Sequence, residues 1–384
     1  MKVVVFAHVP PPHHGQSQMV QYLVDGFRAD PSLGVEVFHV DARLSDDLAD
    51  VGSARGGKLK KLFGYVREAK RLGREHGVRT LYYVPSPPKR TSLYRDWIAL
   101  ALLRRHFKSI IFHWHAVGLG EWLEKVANPP ERMISHRLLD HASVSIVLSK
   151  FNQPDADKFR PRAVAVVPNG VPDPCPDFAG PLAAHRSQRL ARRIAEGGEV
   201  KVLFLALCTR DKGVFDAVEA VRQANESGAR LARPLRFRLL VAGTFPATDE
   251  EATFRSLLNN RAVVECVSHA GFLSGEAKTA ALRDNDVFLF PSHYANEGQP
   301  LSLIEAMAFG LPIVSTRWRG IPEMLPDDYA GVVEPRDPAA TARALVEVAR
   351  TEDGLRFRNR FMDRYQLAAH LARLAEVLRK CEVE

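Results

Sequence analysis

Short runs of β-branched and apolar residues alternate along the chain with longer amphipathic stretches of helical spacing. This alternation is typical of βα units, in which each strand of a mostly parallel sheet is followed by a helix. Helical spacing predicts helices near 16–28, 58–76, 91–106 and 130–140 in the first half. Apolar runs between them predict strands at 2–7, 35–40, 80–84, 109–114, 143–148 and 163–167. The first half therefore predicts a doubly wound α/β domain.

A second series of alternating strands and helices follows a stretch that cannot form a regular helix or strand. Residues 168–181 hold five prolines and two glycines, which predicts a linker. Beyond this linker, apolar runs predict strands at 201–206, 236–242, 263–267, 286–290, 312–315 and 331–333. We expect an N-terminal domain over 1–168, a linker over 169–181 and a C-terminal domain over 182–364.

The last predicted helix covers about residues 365–384 and needs a surface to pack against. Its apolar stripe consists of Leu367, Leu371, Leu374, Val377 and Leu378. Because such a stripe is buried in a stable helix, we expect the helix to cross back over the linker to the N-terminal domain. The economical picture is two Rossmann-like domains that face each other across a cleft.

Composition narrows the class of protein. The 384 residues are 46% hydrophobic and 26% charged, which excludes a disordered or fibrous chain. The apolar runs fall far short of the roughly 18 residues that a membrane-spanning helix needs, and no signal-peptide pattern is present. We therefore expect a cytoplasmic protein. Four cysteines without a Cys-x-x-Cys pair indicate neither a disulfide framework nor a zinc site.

The charge of the chain is concentrated in one region. The net charge is +8, but residues 51–110 alone carry 15 Lys and Arg against Glu68, Glu75 and Asp96. Such a patch indicates an anionic partner, which is a lipid surface, a nucleic acid or a phosphorylated substrate. A solvated basic face with no partner is the alternative interpretation.

Candidate chemistry is expected in the loops that follow the strands, because ligands bind beyond the carboxyl ends of strands in open α/β sheets. Gly15 precedes a helix after the first strand, where backbone N–H groups and the helix dipole favour an anion. His113 and His115 end the fourth strand and would point to opposite faces if the strand continued. Arg210 and Lys212 stand in a strand-to-helix loop that suits a diphosphate.

The densest group of polar residues lies between the predicted strands at 286–290 and 312–315. Glu297 stands at a glycine turn, and Glu305 follows eight positions later inside a predicted helix. A carboxylate at a loop can orient sugar hydroxyls, and a second can hold the vicinal diol of a ribose. Glu305 stands among apolar residues, where an unpaired carboxylate is costly. The alternative is a capped amphipathic helix with its Glu residues on the solvated side.

These residues resemble a known family. The segment from Glu297 to Pro312, Glu-Gly-Gln-Pro-Leu-Ser-Leu-Ile-Glu-Ala-Met-Ala-Phe-Gly-Leu-Pro, resembles the E-x7-E region of the retaining glycosyltransferases of family 4, which have the GT-B fold and belong to the glycosyl transferases group 1. Further stretches match in order along essentially the whole chain. They are the proline-rich turn with Gly15, His115 at a strand end, Val167-Pro-Asn-Gly-Val171, Lys212-Gly213 and Gly320-Ile-Pro-Glu323.

The resemblance implies a function and a set of site residues. It implies a hexosyltransferase that moves a sugar from a nucleotide-sugar, such as a UDP- or GDP-sugar, to an acceptor hydroxyl with retention. Neither a metal nor another cofactor would be required. Glu297 and His115 would be catalytic, with Glu297 at the transferred sugar and His115 beside it. The residues implied for nucleotide-sugar binding are Gly15, Arg210, Lys212, Gly243, Gly298, Gln299, Pro300, Leu301 and Glu305.

Two positions depart from the family pattern. The pattern has an Arg six residues before the Gly of the Lys-Gly pair, where this chain has Leu207. We expect Arg210 to supply the second cation from a different angle. The Gly-Gly that precedes Ile-Pro-Glu in the family is Arg319-Gly320 here.

The basic region acquires a meaning from this resemblance. Its positive residues alternate with Leu62, Phe63, Tyr65, Val66 and Leu72 and predict a basic amphipathic helix that lies on anionic headgroups. We expect peripheral association with the inner face of the cytoplasmic membrane and an acceptor that is lipid-linked or a bacterial envelope polysaccharide precursor. The predicted membrane-binding residues are Lys58, Lys60, Lys61, Arg67, Lys70, Arg71 and Arg74.

Three other readings stay open at this point. A nucleotide-sugar epimerase or a phosphorylase would share the fold, and an obligatory acceptor separates the transferase from both. A basic lipid- or nucleic-acid-binding protein with a degenerate cleft is the third. Because the basic region lacks aromatic stacking motifs and a helix-turn-helix signature, we expect no nucleic-acid partner.

Overall fold

The computed structural model describes residues 1–44 and 56–381. The described chain divides into two compact units. Unit 1 contains Met1–Gly170 together with the last helix, and unit 2 is Val171–Gln366. The two chain crossings between the units therefore follow Gly170 and Gln366.

Unit 1 is a six-stranded parallel sheet with helices on both faces. The strands lie in the order β2-β1-β3-β4-β5-β6. The elements are β1 (Lys2–Phe6), α1 (Gly15–Ala29), β2 (Glu36–Val40), α2 (Gly56–Glu75), β3 (Thr80–Tyr83), α3 (Arg90–Leu103), β4 (Ser109–Trp114), α4 (Leu119–Lys125), α5 (Pro129–Leu139), β5 (Val144–Val147), α6 (Gln153–Asp157) and β6 (Val164–Val166).

Unit 2 is a second six-stranded parallel sheet, with the strand order β12-β11-β10-β7-β8-β9. The direction of strand addition reverses between β7 and β10, which is the point where doubly wound sheets bind ligands. The elements are α7 (Ala183–Glu196), β7 (Gly198–Leu205), α8 (Val214–Gly228), β8 (Leu235–Ala242), α9 (Thr248–Leu257), α10 (Arg261–Val264), β9 (Val267–Gly271), α11 (Gly275–Asp284), β10 (Val287–Phe290), α12 (Leu301–Ala308), β11 (Ile313–Thr316), α13 (Ile321–Met324), β12 (Val332–Val333), α14 (Pro338–Val348) and α15 (Gly354–Arg364).

The last helix, α16 (Leu367–Lys380), belongs to unit 1. Its residues Leu371, Leu374 and Leu378 are buried in the same apolar cluster as Val3 and Val24 of β1 and α1. The amphipathic stripe is therefore buried, as the pattern predicted, because the face of the sheet beside α1 offers an apolar surface of matching length.

The sequence pattern placed one strand wrongly. Residues 263–267 were expected to form a strand, but Arg261–Val264 is a short helix and β9 begins at Val267. The Oδ1 of Asn260 accepts a hydrogen bond from the N–H of Ala262 at 2.9 Å and caps this helix. Local capping therefore decides the conformation here, although Val263 and Val264 favour a strand by composition.

The segment expected as a linker is built into unit 2 from Val171 onward. The N–H of Val171 donates to the carbonyl of Tyr365 at 2.9 Å. Farther along, Asp173 Oδ1 accepts a bond of 2.8 Å from the buried guanidinium of Arg358. Prolines exclude a long regular element from this segment, but these contacts still fix it against α15.

Candidate active site

The candidate site of unit 2 lies at the point where its sheet reverses direction. Strands β7 and β10 are parallel neighbours, with Val202 opposite Val287, so their carboxyl ends lie side by side. The loop after β7 leads to α8, and the loop after β10 leads to α12. Residues 85 positions apart in the chain therefore meet at one edge of the sheet.

Lys212 and Glu297 form an ion pair between these two loops. Lys212 Nζ donates to Glu297 Oε2 at 2.8 Å, and their side chains are 19% and 6% exposed. The hydroxyl of Ser292 donates to the same carboxylate oxygen at 2.8 Å. The ammonium also lies 4.6 Å from the centroid of the Tyr294 ring. Charge pairing, a hydroxyl and an aromatic face together fix the position of Lys212.

Gly213 allows the two loops to approach this closely. Its φ is +84°, and a Cβ at this position would lie 2.3 Å from the carbonyl oxygen of Pro291. Only glycine combines the left-handed conformation with the space that this carbonyl leaves. In the Lys-Gly pair, the lysine therefore supplies the charge, and the glycine meets the steric requirement of the close approach.

Glu305 has a cationic partner that the sequence analysis did not identify. It lies on α12, and its Oε1 accepts a bond of 2.6 Å from Lys278 Nζ on α11. Leu303, Ile304 and Met307 of α12 are fully buried. The carboxylate of Glu305 is thus paired, as expected for a charge beside an apolar helix, because an unpaired charge would be costly there.

The turn before α12 holds three more of the predicted residues, and the fourth, Leu301, begins the helix. Gly298, Gln299 and Pro300 are buried, and α12 begins at Leu301 after Pro300 in extended conformation. Gly243, at the end of β8, has a φ of +149°, and a Cβ there would lie 1.8 Å from the carbonyl oxygen of Ala206. Both turns bring backbone close to the carboxyl edge of the sheet.

Arg210 is placed differently from the other predicted residues of unit 2. Its backbone N–H donates to Glu250 Oε1 at 2.9 Å, and its guanidinium lies 4.6 Å from the centroid of the Phe215 ring. Arg210 lines an open pocket of about 570 Å³ together with Glu250, His293 and Arg336. Neither Lys212 nor Glu297 lines this pocket. The expectation that Arg210 acts as a second cation beside Lys212 has no support from these contacts.

In unit 1, Gly15 follows a histidine that caps α1. The backbone N–H of Ser17 donates to His14 Nδ1 at 3.3 Å, and the backbone N–H of His14 is bonded to Ser17 Oγ. The Nε2 atoms of His14 and His8 are 2.9 Å apart. Because Nδ1 accepts, a neutral His14 carries its proton on Nε2 and donates it to His8. Burial lowers the pKa of His14 to about 4 and that of His8 to about 3.

His115 lies just beyond the end of β4 in a row of neighbouring imidazoles. The strand ends at Trp114, and the ring centroids of His115 and His113 are 4.2 Å apart, so the two rings do not point to opposite faces. Burial, with smaller effects of His370 and His14, lowers the pKa of His115 to about 3. His115 is therefore neutral at physiological pH.

The buried end of this row connects the sheet to α16. His113 Nδ1 is hydrogen-bonded to the hydroxyl of Tyr82, and the ring centroids of His113 and His370 are 6.4 Å apart. His370 Nδ1 is 2.7 Å from the carbonyl oxygen of Pro168, so it carries the proton and donates it. Burial lowers the pKa of His370 to about 4.

The predicted amphipathic helix exists as α2, but its apolar side is divided. Leu62 and Val66 are buried in the core of unit 1, and Tyr65 and Leu72 pack against that core. Of the five apolar residues that alternate with the basic ones in this pattern, only Phe63 is exposed, at 47%. Most of the apolar side of α2 therefore packs on the core of unit 1, and the binding of its basic side to anionic headgroups stays a prediction.

Some residues of the site carried no sequence signal strong enough to select them. Ser292 and Lys278 contact the two glutamates, and His8 and His14 contact each other, yet none of the four belongs to a spacing pattern. An apolar helix with a Glu does predict some cationic partner, but it does not identify which one.

Within residues 1–44 and 56–381, no group of three or more His, Cys, Asp or Glu side chains is arranged to hold a metal ion. In the same part of the chain, the helices are all too short or too polar to cross a membrane.

Two Rossmann-like units with parallel six-stranded sheets define the GT-B fold, so the predicted fold class is confirmed. Sucrose-phosphate synthase from Thermosynechococcus elongatus superposes with a TM-score of 0.71 and 19% identity, over 100% of both chains. Anabaena HepE in complex with UDP superposes with a TM-score of 0.66 and 16% identity, over 99% of this chain and 100% of HepE.

Sequence comparison adds the family. Residues 199–351, less than half of the chain, match the model described as Glycosyl transferases group 1. The resemblance deduced from the motifs is thereby confirmed for the group, whereas the narrower assignment to family 4 stays a prediction.

Two relatives match this chain over about two fifths of its length. The Escherichia coli protein WcaL, named as a colanic acid biosynthesis glycosyltransferase, is 35% identical over 38% of this chain and 34% of its own length. The amylovoran biosynthesis glycosyltransferase AmsK of Erwinia amylovora is 32% identical over 40% of this chain and 37% of its own length. The match therefore spans little more than a third of each of these relatives.

Proposed function

We propose that this protein is a retaining glycosyltransferase that moves a sugar from a nucleoside diphosphate to an acceptor hydroxyl in the synthesis of a polysaccharide. The observation that carries the proposal is the Lys212–Glu297 ion pair at the switch point of a glycosyl transferases group 1 domain. The names of WcaL and AmsK support a polysaccharide as the product.

The chemistry follows from the two charges. The bond from the sugar to the diphosphate breaks in the reaction, and the diphosphate leaves with additional negative charge. The ammonium of Lys212 is already held in place and can stabilise that charge without moving. Such preorganised electrostatic stabilisation is usually the largest single contribution to catalysis. Lys212 and Ser292 both contact Glu297 Oε2. We assign Oε1 to a hydroxyl of the transferred sugar, and the backbone after Glu297 to the diphosphate.

Metal independence is part of the same proposal. A lysine ammonium and backbone N–H groups can neutralise a diphosphate in the way that Mg²⁺ does in other enzymes. In this assignment Glu305 binds the ribose of the nucleotide, and Gly15 and His115 of unit 1 act on the phosphate and the sugar. Arg210 stays a candidate only, because its contacts are in a different pocket.

The experiment is a panel of UDP-, GDP-, ADP- and TDP-sugars with EDTA present, read by thermal shift and by slow hydrolysis. We expect one nucleotide to stabilise the wild type, EDTA to have no effect, and Glu305→Ala to lose the stabilisation. NMR of the released sugar reports its anomeric configuration, which we expect to be that of the bound donor. Inversion would contradict the retaining mechanism, and activity that disappears with EDTA would contradict metal independence.

We also propose a cytoplasmic location with peripheral attachment to an anionic membrane through α2, and a lipid-linked acceptor or envelope precursor. Support comes from the exposed Lys60, Lys61, Arg67 and Arg71 of α2 beside Phe63. Cationic side chains near a bilayer are attracted to anionic lipids, and an exposed aromatic ring can enter the interface.

A further inference from the structure

Lys278 contacts a predicted residue of the site in unit 2, although the sequence did not predict Lys278 itself. It lies on α11 and reaches Glu305 on α12 with a bond of 2.6 Å from Nζ to Oε1. The two side chains are 32% and 14% exposed, so the pair is partly shielded but still open to a ligand. No motif in the sequence connects the two positions, which are 27 residues apart.

The pair offers two kinds of hydrogen bond at one place. A carboxylate only accepts hydrogen bonds, whereas an ammonium donates three. Lys278 uses one of its donors on Oε1 of Glu305 and has two others, and Glu305 has a second oxygen. A vicinal diol fits this arrangement, because one hydroxyl can donate to the carboxylate while the neighbouring oxygen accepts from the ammonium. A single glutamate would meet only half of these requirements.

We propose that Lys278 is a specificity-determining residue that binds the ribose diol of the nucleotide jointly with Glu305. This inference rests on the proposed function, since it assumes a nucleoside diphosphate donor. It goes further by assigning a second side chain to the ribose and by predicting selection against deoxyribonucleotides. Lys278 also orients the Glu305 carboxylate before the nucleotide binds.

A purely structural role for Lys278 makes a different prediction. If Lys278 only supported α12, its removal would weaken every nucleotide by the same factor. If it binds the diol, its removal weakens a ribonucleotide much more than the matching deoxyribonucleotide. The ratio of the two dissociation constants separates these cases without any knowledge of the acceptor.

The experiment measures this ratio on the full chain by calorimetry, with UDP and 2′-dUDP and with GDP and 2′-dGDP. We expect the wild type to bind the ribose form about 10-fold more tightly, since a site built to bond a hydroxyl rejects the analogue that lacks it. Lys278→Met should lower that ratio to about 2-fold or less, because the ammonium no longer bonds the diol. Lys278→Arg should restore much of the ratio.

The control variant is Arg283→Met on the same helix. Arg283 pairs with Asp177 at 3.3 Å, so this variant removes a paired cation from α11 without touching Glu305. Its ratio should equal that of the wild type. An unchanged ratio in Lys278→Met, or an equal loss for both nucleotides, overturns the inference and leaves the proposed function standing. If neither nucleotide pair binds the wild type, the proposed function fails and the inference fails with it.

Discussion

The two units have parallel six-stranded sheets, but their candidate site residues after the strands differ in chemistry. Unit 2 places two ion pairs there, Lys212–Glu297 and Lys278–Glu305. Unit 1 places imidazoles there, and burial lowers the pKa of His115 to about 3. The candidate residues of unit 2 are therefore ion-paired lysines and glutamates, whereas the candidate histidine of unit 1 is neutral.

The difference shows what the candidate side chains of each unit can bind. Charged pairs can neutralise a diphosphate and orient hydroxyls, and they lose strength as salt screens them. Neutral imidazoles can donate to or accept from a hydroxyl without attracting ions. Two sheets of the same kind thus carry candidate side chains of different chemistry after their strands.

The largest effect is expected from removing one charge of unit 2. Lys212→Met leaves Glu297 buried without its ammonium and leaves the diphosphate without its cation. We expect kcat/KM for the nucleotide-sugar to fall roughly 100- to 1,000-fold, with the fold intact. Steady-state kinetics and circular dichroism check this. Lys201→Met, an exposed lysine on β7, is the control and should behave as the wild type. A loss below about 3-fold in Lys212→Met would remove the basis of the proposed function.

The next effect concerns the neutral histidines of unit 1. His370 has a folded pKa of about 4, below its ordinary value of 6.5, so the unfolded chain takes up the proton first as the pH falls. Its contribution to stability is present above pH 6.5 and is lost between pH 6.5 and about 4. The full difference is roughly 3 kcal/mol.

His370→Leu should make the free energy of unfolding less dependent on pH over this range. Urea denaturation at pH 7, 6, 5 and 4, followed by fluorescence, measures it. His185→Leu, at an exposed position of unit 2, is the control and should keep the slope of the wild type. Equal slopes in all three proteins would show that His370 does not titrate with folding.

Most of the fold could be predicted because hydrophobic periodicity reports burial directly. β1 and β4 are buried on both faces of the sheet, so their sequences are nearly uninterrupted runs of apolar residues. Arg261–Val264 was misread because two valines favour a strand, while the cap from Asn260 that decides the helix is a single side chain. A local hydrogen bond outweighed the composition.

Sequence patterns select residues in the loops after strands, but they do not select contacts that depend on the packing of one helix against another. Glu297 and Lys212 were found because each follows a strand end. Lys278 was missed because its contact with Glu305 depends on the packing of α11 beside α12, which no spacing encodes. Arg210 was expected to bind the diphosphate because it lies on the same strand-to-helix loop as Lys212, but its guanidinium packs on the ring of Phe215.

The backbone of unit 2 offers a smaller test of how its charged edge is built. Gly213→Ala places a Cβ 2.3 Å from the carbonyl oxygen of Pro291 at a φ of +84°. We expect a loss of about 1–3 kcal/mol in stability, together with weaker nucleotide binding because Lys212 shifts. Gly64→Ala on α2, where nothing lies within 4 Å of the added Cβ, is the control and should not destabilise the protein. Thermal denaturation of both variants decides between strain and a tolerant loop.

The smallest effect is expected at the basic face of unit 1. Lys60→Gln with Lys61→Gln removes two exposed charges from α2, each worth about 1 kcal/mol near an anionic bilayer. Binding to liposomes that contain anionic lipid should therefore weaken roughly 10- to 30-fold at low salt. Flotation measures the bound fraction, and the wild type should bind neutral liposomes weakly.

The matched control for this surface lies on unit 2. Arg255 and Arg261 have side chains that are 76% and 92% exposed, so Arg255→Gln with Arg261→Gln removes the same charge from another face. If attraction depended only on net charge, both double variants would lose the same affinity. If α2 is the contact, only its variant weakens, since screening limits each charge to about 10 Å. Equal binding of the wild type to anionic and neutral liposomes would instead leave the basic face as a solvated surface.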